Sequence, residues 1–411
     1  MTLLDYANII MGIFMMERTL EKARLAPQYF TRKRKMPFHK LLQYLLRGNK
    51  CASQAALNEF FLHMGELIHM TQQALSKARS HFDHSPFQEA FNAAVNAEYC
   101  LENDSLLKRI GGYKLIAIDG SIIALPNLPK LRELFGEMKS SASARASIAL
   151  DVLNDRIVDA ELVPLSIDER TLAIEHIMNL TGKIVMQDTI FIMDRGYASL
   201  ELIRDILGTK SHFIMRVRNK FSKLVDSAPM GDSIIDLSSD IHIRVIKFHL
   251  PSGEIEALIT DVFDLPENMF QKLYFFRWPV EVKYDVVKNK LELPNFTGHS
   301  PNIIYQDFWI SMLLANVAAV AKSEADQKIK SARAEKENKY DYQMNVNNAI
   351  ASLRNRFAEA VFVTDPVLRA KRINSIIQEV SASVVPIRTD RKVPRKKARK
   401  VKYHHNKKSN V

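Results

Sequence analysis

The segment between residues 113 and 217 constrains the fold most, because its apolar periodicity changes between strand and helix in a regular order. Short apolar runs predict strands, and turns or helical patterns separate each run from the next. The predicted strands are 113–119, 146–153, 156–164, 189–194 and 212–217, and the predicted helices are 168–180 and 199–207. Three strands in succession, followed by helix and strand in alternation, predict an α/β fold with a sheet of mixed strand order.

The regions on either side follow other patterns. Two alternating segments flank Pro251-Ser252-Gly253, which indicates a hairpin within a β-rich insertion. The apolar run Phe308–Ala321 is too short for a membrane span and indicates a buried core helix. A charged, mobile segment is expected after it, at 323–341. The predicted C-terminal helices are 302–321, 342–357 and 365–380.

A short polar helix is predicted in the N-terminal region, with Thr71 as its cap. It would present Gln72, Gln73, Lys77 and Arg79 to solvent. Short helices in series with such a face are typical of a helix-turn-helix-like DNA reader. They are equally typical of a plain helical bundle, and the pattern leaves both interpretations open.

Charge and cysteine content limit the classes of binding partner and the cellular compartment that are expected for this chain. The net charge is +12, and residues 388–411 carry eleven Lys or Arg against one acid, so a basic tail holds most of it. The tail has too few apolar residues to fold alone, and it is predicted either to bind polyanions or to act as a solubilising end. Cys51 and Cys100 are the only cysteines, which excludes a disulfide framework. A reducing cytosol is expected, and no signal peptide is evident.

Three acids stand where α/β folds place their ligands. Asp119 and Asp194 each end an apolar strand, and Glu281 lies near a predicted helix start. Three carboxylates gathered there would repel one another unless divalent cations were bound. Oxygen ligands suit Mg²⁺ or Mn²⁺, and two ions about 3.5–4 Å apart would hold the oxygens of an in-line phosphoryl displacement. For either Asp alone, a helix cap or a turn is the alternative.

The stretch around Glu281 adds phosphate-binding chemistry. Tyr274, Arg277, Glu281 and Lys288 follow one another with gaps of two, three and six residues. Pro279 is suited to the first turn of a helix, which would place Glu281 and Lys288 two turns apart on one face. The carboxylate can take a hard cation, while the hydroxyl and the two cationic groups take phosphate oxygens. An amphipathic helix with solvated charges is the alternative.

Three motifs together carry a resemblance to a known family. They are IAIDGS at 116–121, FIMDRGY at 191–197 and YFFRWPVEVKYDVVK at 274–288. They resemble the DDE transposases of bacterial insertion sequences, most closely the subgroup with a Tyr-(2)-Arg-(3)-Glu-(6)-Lys signature, insertion-sequence family four. Similarity extends to 71–79, to 291–298 and to the basic C-terminus, so the resemblance covers most of the chain.

The resemblance implies a fold and a reaction. The fold is a ribonuclease-H-like catalytic core, interrupted by a β insertion before the catalytic helix. Asp119, Asp194 and Glu281 match the family's catalytic, metal-binding triad. Such enzymes use two ions, Mg²⁺ or Mn²⁺, to cleave the ends of the element and then join the 3′-hydroxyl to target DNA.

The resemblance also implies DNA contacts and partners. Tyr274, Arg277 and Lys288 match positions that contact DNA phosphates near the cleaved end. The partners implied are the double-stranded ends of the element, the target DNA and a second copy of the chain in a synaptic complex, without a membrane. The expected location is the bacterial cytoplasm, with the nucleoid. Some relatives pass through a hairpin intermediate.

Combining pattern and resemblance divides the chain into six predicted regions. They are a helical N-terminal DNA-binding region (1–107), the first part of the core (108–217), the β-rich insertion (218–265), the second part of the core with the catalytic helix (266–325), a helical C-terminal region (326–387) and the basic tail (388–411).

Two rival functions use the same motifs. A DNA-binding regulator would keep the scaffold without catalysis, and a stand-alone nuclease would leave the helical N-terminal region and the tail unexplained.

Overall fold

The computed structural model describes residues 1–32, 34–48, 54–66, 69–334 and 340–388. The predicted basic tail therefore lies, except for Arg388, outside the described residues. The chain divides into two compact units. We call Val95–Asp285 the sheet unit, and Met1–Ala94 with Val286–Val411 the helical unit. The six predicted regions were drawn on motifs rather than on compactness, and their boundaries stay predictions.

The elements are numbered in chain order. The helices are α1 (Leu3–Met15), α2 (Glu17–Ala23), α3 (Phe38–Leu46), α4 (Gln54–His63), α5 (Gln72–Arg79), α6 (Ser85–Glu98), α7 (Leu101–Asp104), α8 (Pro129–Phe135), α9 (Glu169–Leu180), α10 (Leu200–Gly208), α11 (Lys223–Ser227), α12 (Glu267–Phe275), α13 (Trp278–Asp285), α14 (Pro301–Ala332), α15 (Val346–Val361) and α16 (Pro366–Ala382). A π-helical turn, Val286–Lys290, follows α13 directly. The strands are β1 (Lys114–Ala124), β2 (Glu137–Met138), β3 (Ser141–Asp151), β4 (Arg156–Val163), β5 (Thr189–Met193), β6 (His212–Arg216), β7 (Gly231–Ser238), β8 (Ile241–His249), β9 (Ile255–Thr260), β10 (Tyr342–Met344) and β11 (Val384–Pro386).

The sheet unit is built on one nine-stranded sheet within the described residues. Its strand order is β2-β3-β1-β5-β6-β9-β8-β7, with β4 paired to β3. The pairs β1–β5 and β5–β6 are parallel, and the other pairings are antiparallel. All five residues of β5 are buried, as expected of a central parallel strand covered on both faces. The prediction of an α/β fold with mixed strand order is confirmed.

The β-rich insertion extends this sheet. The predicted hairpin is confirmed, since β8 and β9 pair antiparallel from Arg244↔Thr260 to His249↔Ile255. Strand β9 also pairs with β6, which joins β7–β9 to the central strands. Strand β7 has alternating exposed and half-buried residues, a pattern typical of a sheet edge with one solvated face.

A hydrophobic cluster holds α12 on the sheet. Buried side chains from β1, β5, β6, β8 and β9 pack with Phe270 and Leu273 of α12. Burying a side chain of this size stabilises the fold by about 1.5–3 kcal/mol, and the cluster contains ten such residues. Because α12 leads directly into Arg277 and α13, this packing determines where the first part of the 274–288 motif lies.

The helical unit has α14 as its core. This helix has 32 residues and continues through the charged segment that was expected to be mobile, so that expectation is wrong for 323–332. Of the described helices, α14 alone is long and apolar enough to cross a membrane by length and composition, and 94% of its most apolar window is buried inside the protein. The predicted buried helix is confirmed, and it is longer than its apolar run.

The C-terminal part of the helical unit differs from prediction at one point. Tyr342–Met344 was expected to begin a helix, but it forms β10 and pairs antiparallel with β11. The side chain of Asn345 then caps α15 by accepting the backbone N–H of Asn347 and Asn348. In the sequence, a strand of only three residues is hard to distinguish from the start of a helix, because periodicity needs a longer window.

The predicted polar helix exists as α5, but one of its candidate DNA-reading residues is buried. Thr71 caps α5 as expected, with its side chain accepting the N–H of Ala74. Arg79 is only 5% exposed and donates to Asp307 Oδ1 at 3.0 Å and to Gln306 Oε1 at 3.1 Å, both on α14. Arg79 therefore fastens α5 to α14 and is not presented to solvent. The helix-turn-helix interpretation of this region stays a prediction.

We expect Arg79→Ala to lower the free energy of unfolding by about 3–5 kcal/mol, because it leaves the buried Asp307 carboxylate without its cation. Lys77→Ala, on the exposed side of the same helix, is the matched control and should change it by less than about 0.5 kcal/mol. Urea denaturation of both variants measures the difference. Equal stability of the two variants would contradict a structural role for Arg79.

Candidate active site

The sheet brings Asp119 and Asp194 to the same edge. Ala117 of β1 pairs in parallel with Ile192 of β5, and the two acids each lie two residues beyond this pair. Asp194 directly follows β5, as predicted. Asp119 does not end its strand, because β1 continues to Ala124 as the partner of β3 alone. Continuous burial of β1 ends at Ile118, near the end of its parallel neighbour β5, and the strand itself goes on.

Arg277 connects two of the predicted acids. Helix α13 begins at Trp278, with Pro279 in its first turn as predicted and Glu281 shortly after. Arg277 Nη2 donates to Glu281 Oε1 at 2.8 Å, while Arg277 Nη1 lies 3.8 Å from Asp119 Oδ2. The guanidinium is only 17% exposed. The geometry therefore gathers Asp119 and Glu281 around one cationic group.

Tyr274 places its hydroxyl on the third acid. The hydroxyl donates to Asp194 Oδ1 at 3.2 Å, and Asp194 Oδ1 also accepts the N–H of Arg195 at 2.7 Å. Burial, and then the negative charge of Asp194, raise the pKa of Tyr274 well above its usual value. The phenol therefore stays protonated and acts as a hydrogen-bond donor across the physiological pH range.

Asp119 lies in the most perturbed environment of the three acids. Burial raises the pKa of Asp119 to about 6, and the nearby carboxylates Glu169 and Glu281 add to this rise. The Arg277 guanidinium and the N–H of Gly120 act in the opposite direction. The site thus has more negative charge than Arg277 neutralises, which is the electrostatic condition for binding a cation.

The backbone carbonyl of Asp119 accepts hydrogen bonds from a buried network of side chains. The hydroxyl of Tyr284 on α13 donates to Asp119 O at 2.9 Å and lies 3.0 Å from Ala146 O. Ser147 Oγ donates to the same Asp119 carbonyl at 3.4 Å. Since Tyr284 is one turn beyond Glu281, this bond fixes the helix of one acid to the strand of another.

The network continues into the core through a histidine. Ser147 Oγ lies 2.8 Å from His176 Nε2, and His176 Nδ1 lies 2.8 Å from Asp159 Oδ2. His176 is fully buried, and Ser147 and Asp159 are nearly so. Neither the Ser nor the His has a motif around it that sequence reasoning could have used.

Glu169 is a further acid of the site that the sequence analysis missed. It begins α9 and accepts from Arg145 Nη1 at 2.6 Å. Its side chain also lies against Gly120, where a Cβ would come within 3.1 Å of the carboxylate. This close approach explains the glycine after Asp119. The available signal was its place in the acidic first turn of the predicted helix 168–180.

Lys288 is in a different structural setting from the rest of its motif. It belongs to the π-helical turn Val286–Lys290, which lies in the helical unit. The expectation that Glu281 and Lys288 share a face assumed an unbroken α-helix, and the π-helical turn invalidates this assumption. The prediction that Lys288 contacts DNA phosphate does not depend on that spacing and stays a prediction.

Comparison with protein families identifies the chain. The family model described as Transposase DDE domain matches residues 110–317, just over half of the 411-residue chain. The chain belongs to this family. The match includes Asp119, Asp194 and Glu281, together with all of the central parallel strands.

Two individual proteins are similar to this DDE-family chain. Transposase InsG for insertion sequence element IS4, from Escherichia coli (strain K12), is 22% identical over 314 residues. The aligned region covers 69% of this chain and 65% of that transposase, just under two thirds of its length. The cryo-EM structure of the piggyBac transposase synaptic complex with hairpin DNA aligns with a TM-score of 0.46 and 10% identity, over 92% of this chain and 77% of that one.

The three predicted acids are not arranged as one ligand cluster in the described part of the chain. Across 1–32, 34–48, 54–66, 69–334 and 340–388, no three His, Cys, Asp or Glu side chains are arranged to hold a metal ion together. Arg277 lies beside Glu281 and Asp119, and Tyr274 is bonded to Asp194. The donor set is all oxygen and carries excess negative charge, which fits a hard divalent cation.

We expect Asp119 to titrate near pH 6 in protein kept in EDTA, because burial raises the pKa of its carboxyl group to about 6, against 3.8 for the free side chain. The folded state then holds this proton more tightly than the unfolded state. Ionised Asp119 lowers stability above pH 6, and this penalty is relieved between pH 6 and 4. Relative to Asp119→Asn, the free energy of unfolding should rise by about 2 kcal/mol from pH 7 to 4, measured in EDTA. A constant difference would contradict the raised pKa.

Proposed function

We propose that this chain is a transposase with a ribonuclease-H-like core, which binds the terminal inverted repeats of an insertion sequence, cleaves its ends and joins the 3′ ends to target DNA. The observation that carries the proposal is the position of Arg277 between Glu281 and Asp119, at the sheet edge where Asp194 also lies. Membership of the DDE family supports the reaction class.

The three acids have one assigned role in this proposal. Asp119, Asp194 and Glu281 would hold Mg²⁺ or Mn²⁺, two ions in the working site, through carboxylate oxygens alone. Ions of this class supply Lewis acidity and lower the pKa of water. Tyr284 and Ser147 keep the backbone of Asp119 in place, so its carboxylate is preorganised on a rigid strand.

The cationic residues and the phenol would bind DNA. Arg277, Tyr274 and Lys288 would contact the phosphates beside the cleaved bond. Arg277 donates to Glu281 and lies beside Asp119, so it is a counter-charge to the acids and is placed where a phosphate bound next to them would lie. In this proposal its planar guanidinium contacts that phosphate.

The partners follow from the reaction. The substrates are the double-stranded ends of the element and the target DNA, and two copies of the chain would hold the two ends in a synaptic complex. A DNA substrate of this kind lies in the bacterial cytoplasm with the nucleoid, and no membrane takes part.

A strand-transfer assay tests the proposal. The purified chain is mixed with Mg²⁺, a supercoiled plasmid and a DNA fragment that carries one end of the element with its flanking sequence, labelled at the 5′ end of the strand whose cleaved 3′ end is to be joined. We expect the label to become covalently attached to the plasmid. Ca²⁺ in place of Mg²⁺ is the control and should permit binding without chemistry.

The same assay distinguishes the rival functions. Specific binding of the element's end, with no cleavage in Mg²⁺ or Mn²⁺, would identify a DNA-binding regulator. Cleavage without any joining would identify a nuclease. Either result would overturn the proposed transposase.

A further inference from the structure

A cavity of about 810 Å³ lies in the helical unit, between residues 28–37 and α5. Its described lining includes none of the residues in the three motifs. Its size lies in the range of pockets that hold small organic ligands, about 300–1,000 Å³. The cavity therefore has room for one nucleotide.

The described lining of this cavity is cationic. Arg32, Arg34, Lys35 and Lys77 line it, all of them exposed, and its described lining includes no Asp or Glu. Lys35 Nζ donates to the backbone carbonyl of His69 at 2.8 Å, so its charge is not cancelled by that contact. Four cationic side chains around one cavity attract an anion with several acceptor oxygens, such as a phosphate.

An aromatic platform lies inside the same cavity. The rings of Tyr29 and His81 stack at a centroid distance of 3.8 Å with an interplanar angle of 7°. Both are half-buried and both line the cavity. Burial and the nearby charges of Lys77 and Arg34 lower the pKa of His81, so its ring is neutral at physiological pH. Because the two rings cover each other's inner faces, a nucleobase can stack on this neutral pair only at an outer face.

The backbone next to this platform is held in an unusual conformation. Phe30 has a φ of +62°, which is rare for a bulky residue. Its ring packs edge-on against Phe38 at 5.2 Å and Phe82 at 6.1 Å, and both of these rings are buried. The cluster packs against this turn, and Tyr29, Thr31 and Arg32 on either side of Phe30 line the cavity. Strain of this kind is concentrated at ligand-binding segments.

We propose that this cavity binds one unpaired nucleotide of a DNA strand, with its base stacked on an outer face of the Tyr29–His81 pair and its phosphates held by Arg32, Arg34, Lys35 and Lys77. The inference rests on the proposed function for the source of that strand. An unpaired nucleotide fits better than a duplex, because the platform lies within a cavity and the faces of paired bases are covered by their neighbours.

Fluorescence anisotropy of the full chain in EDTA tests this proposal. The probes are a labelled short oligothymidylate, a blunt duplex of matched length and inorganic phosphate as competitor. Tyr29→Ala should weaken binding of the single strand by about 5- to 100-fold and that of the duplex by less than about twofold. Tyr29→Phe should bind like the parent, since stacking needs the ring and not the hydroxyl.

The role of the cationic lining residues in phosphate binding is tested by the dependence of DNA affinity on salt concentration. Arg34→Ala should reduce the slope of log affinity against log salt for the single strand by about 0.7. Lys371→Ala, exposed on α16 of the same unit, is the charge-matched control and should leave the slope unchanged. Because Arg34 is exposed, this variant remains informative even if Tyr29→Ala fails to fold, which a melting curve would reveal.

The outcomes separate this inference from the proposed function. Equal losses for single strand and duplex, or no loss in Tyr29→Ala, would overturn the nucleotide site. Competition by inorganic phosphate as strong as that by thymidine monophosphate would show a simple anion site and would also overturn it. Oligonucleotide binding in EDTA does not require catalysis, so a failed strand-transfer assay leaves this result intact.

Discussion

Asp119→Asn, Asp194→Asn and Glu281→Gln are each expected to lower cleavage of the element's end by at least about 10³-fold, while DNA affinity changes little. Each substitution keeps the size of the side chain and removes one negative charge from the candidate cation site. Since residues that act as a unit are not additive, the double variants should be no worse than the single ones. Cleavage kinetics on a labelled end, beside anisotropy on the same DNA, give both quantities.

Glu201→Gln, an exposed acid of α10, is the matched control and should cleave like the parent. Glu169 provides an internal comparison, because it also raises the pKa of Asp119 but is paired with Arg145. Glu169→Gln should therefore reduce activity less than the three acids do. Mg²⁺-dependent cleavage at the parental rate in any of the three variants would remove that residue from the catalytic set.

Arg277→Ala is expected to separate cation binding from catalysis. Cation affinity at pH 8 should rise by roughly fivefold, because a competing positive charge beside Asp119 and Glu281 is removed. Cleavage should nevertheless fall by about 10²-fold, since the phosphate loses a preorganised donor. Calorimetry with Mn²⁺ measures the first quantity, and single-turnover cleavage measures the second.

Arg277→Lys is the matched control, because it keeps the charge and loses the planar fork. Its cation affinity should remain near that of the parent, and cleavage should recover only in part. An Arg277→Ala variant with weaker cation binding would mean that Arg277 supports the acids instead of competing for them. If Arg277→Ala cleaved DNA at the parental rate, Arg277 could no longer be assigned the role of binding the phosphate.

The sequence predicted the sheet and the candidate acids because both depend on local signals. A fully apolar run such as 189–193 has few alternatives to a buried strand, and an acid directly after it is visible in the sequence. Proximity of Asp119 to Asp194 then followed from a general property of parallel strands. The position of Glu281 relative to them required the family resemblance, since 87 residues of intervening chain leave its location open.

The residues that the sequence analysis missed act through contacts between distant segments. Ser147, His176 and Tyr284 are ordinary members of a strand and two helices. Only the packing of these elements brings Ser147 and Tyr284 to the carbonyl of Asp119 and His176 to the hydroxyl of Ser147. Arg79 was assigned to solvent because a polar helix face looks the same whether it meets water or a buried acid. Such pairings depend on tertiary structure, and they produce no periodic pattern in the sequence.

The ring of His176 also makes the state of this region observable. Both of its nitrogens lie within 2.8 Å of partners, and the side chain is fully enclosed by protein. Protons held in this way exchange slowly with solvent, so they give separate downfield resonances in proton NMR spectra. In a chain labelled with ¹⁵N-histidine, the His176 resonances would show whether β3 and the strand that bears Asp119 keep their pairing register. The measurement also works in variants that no longer react.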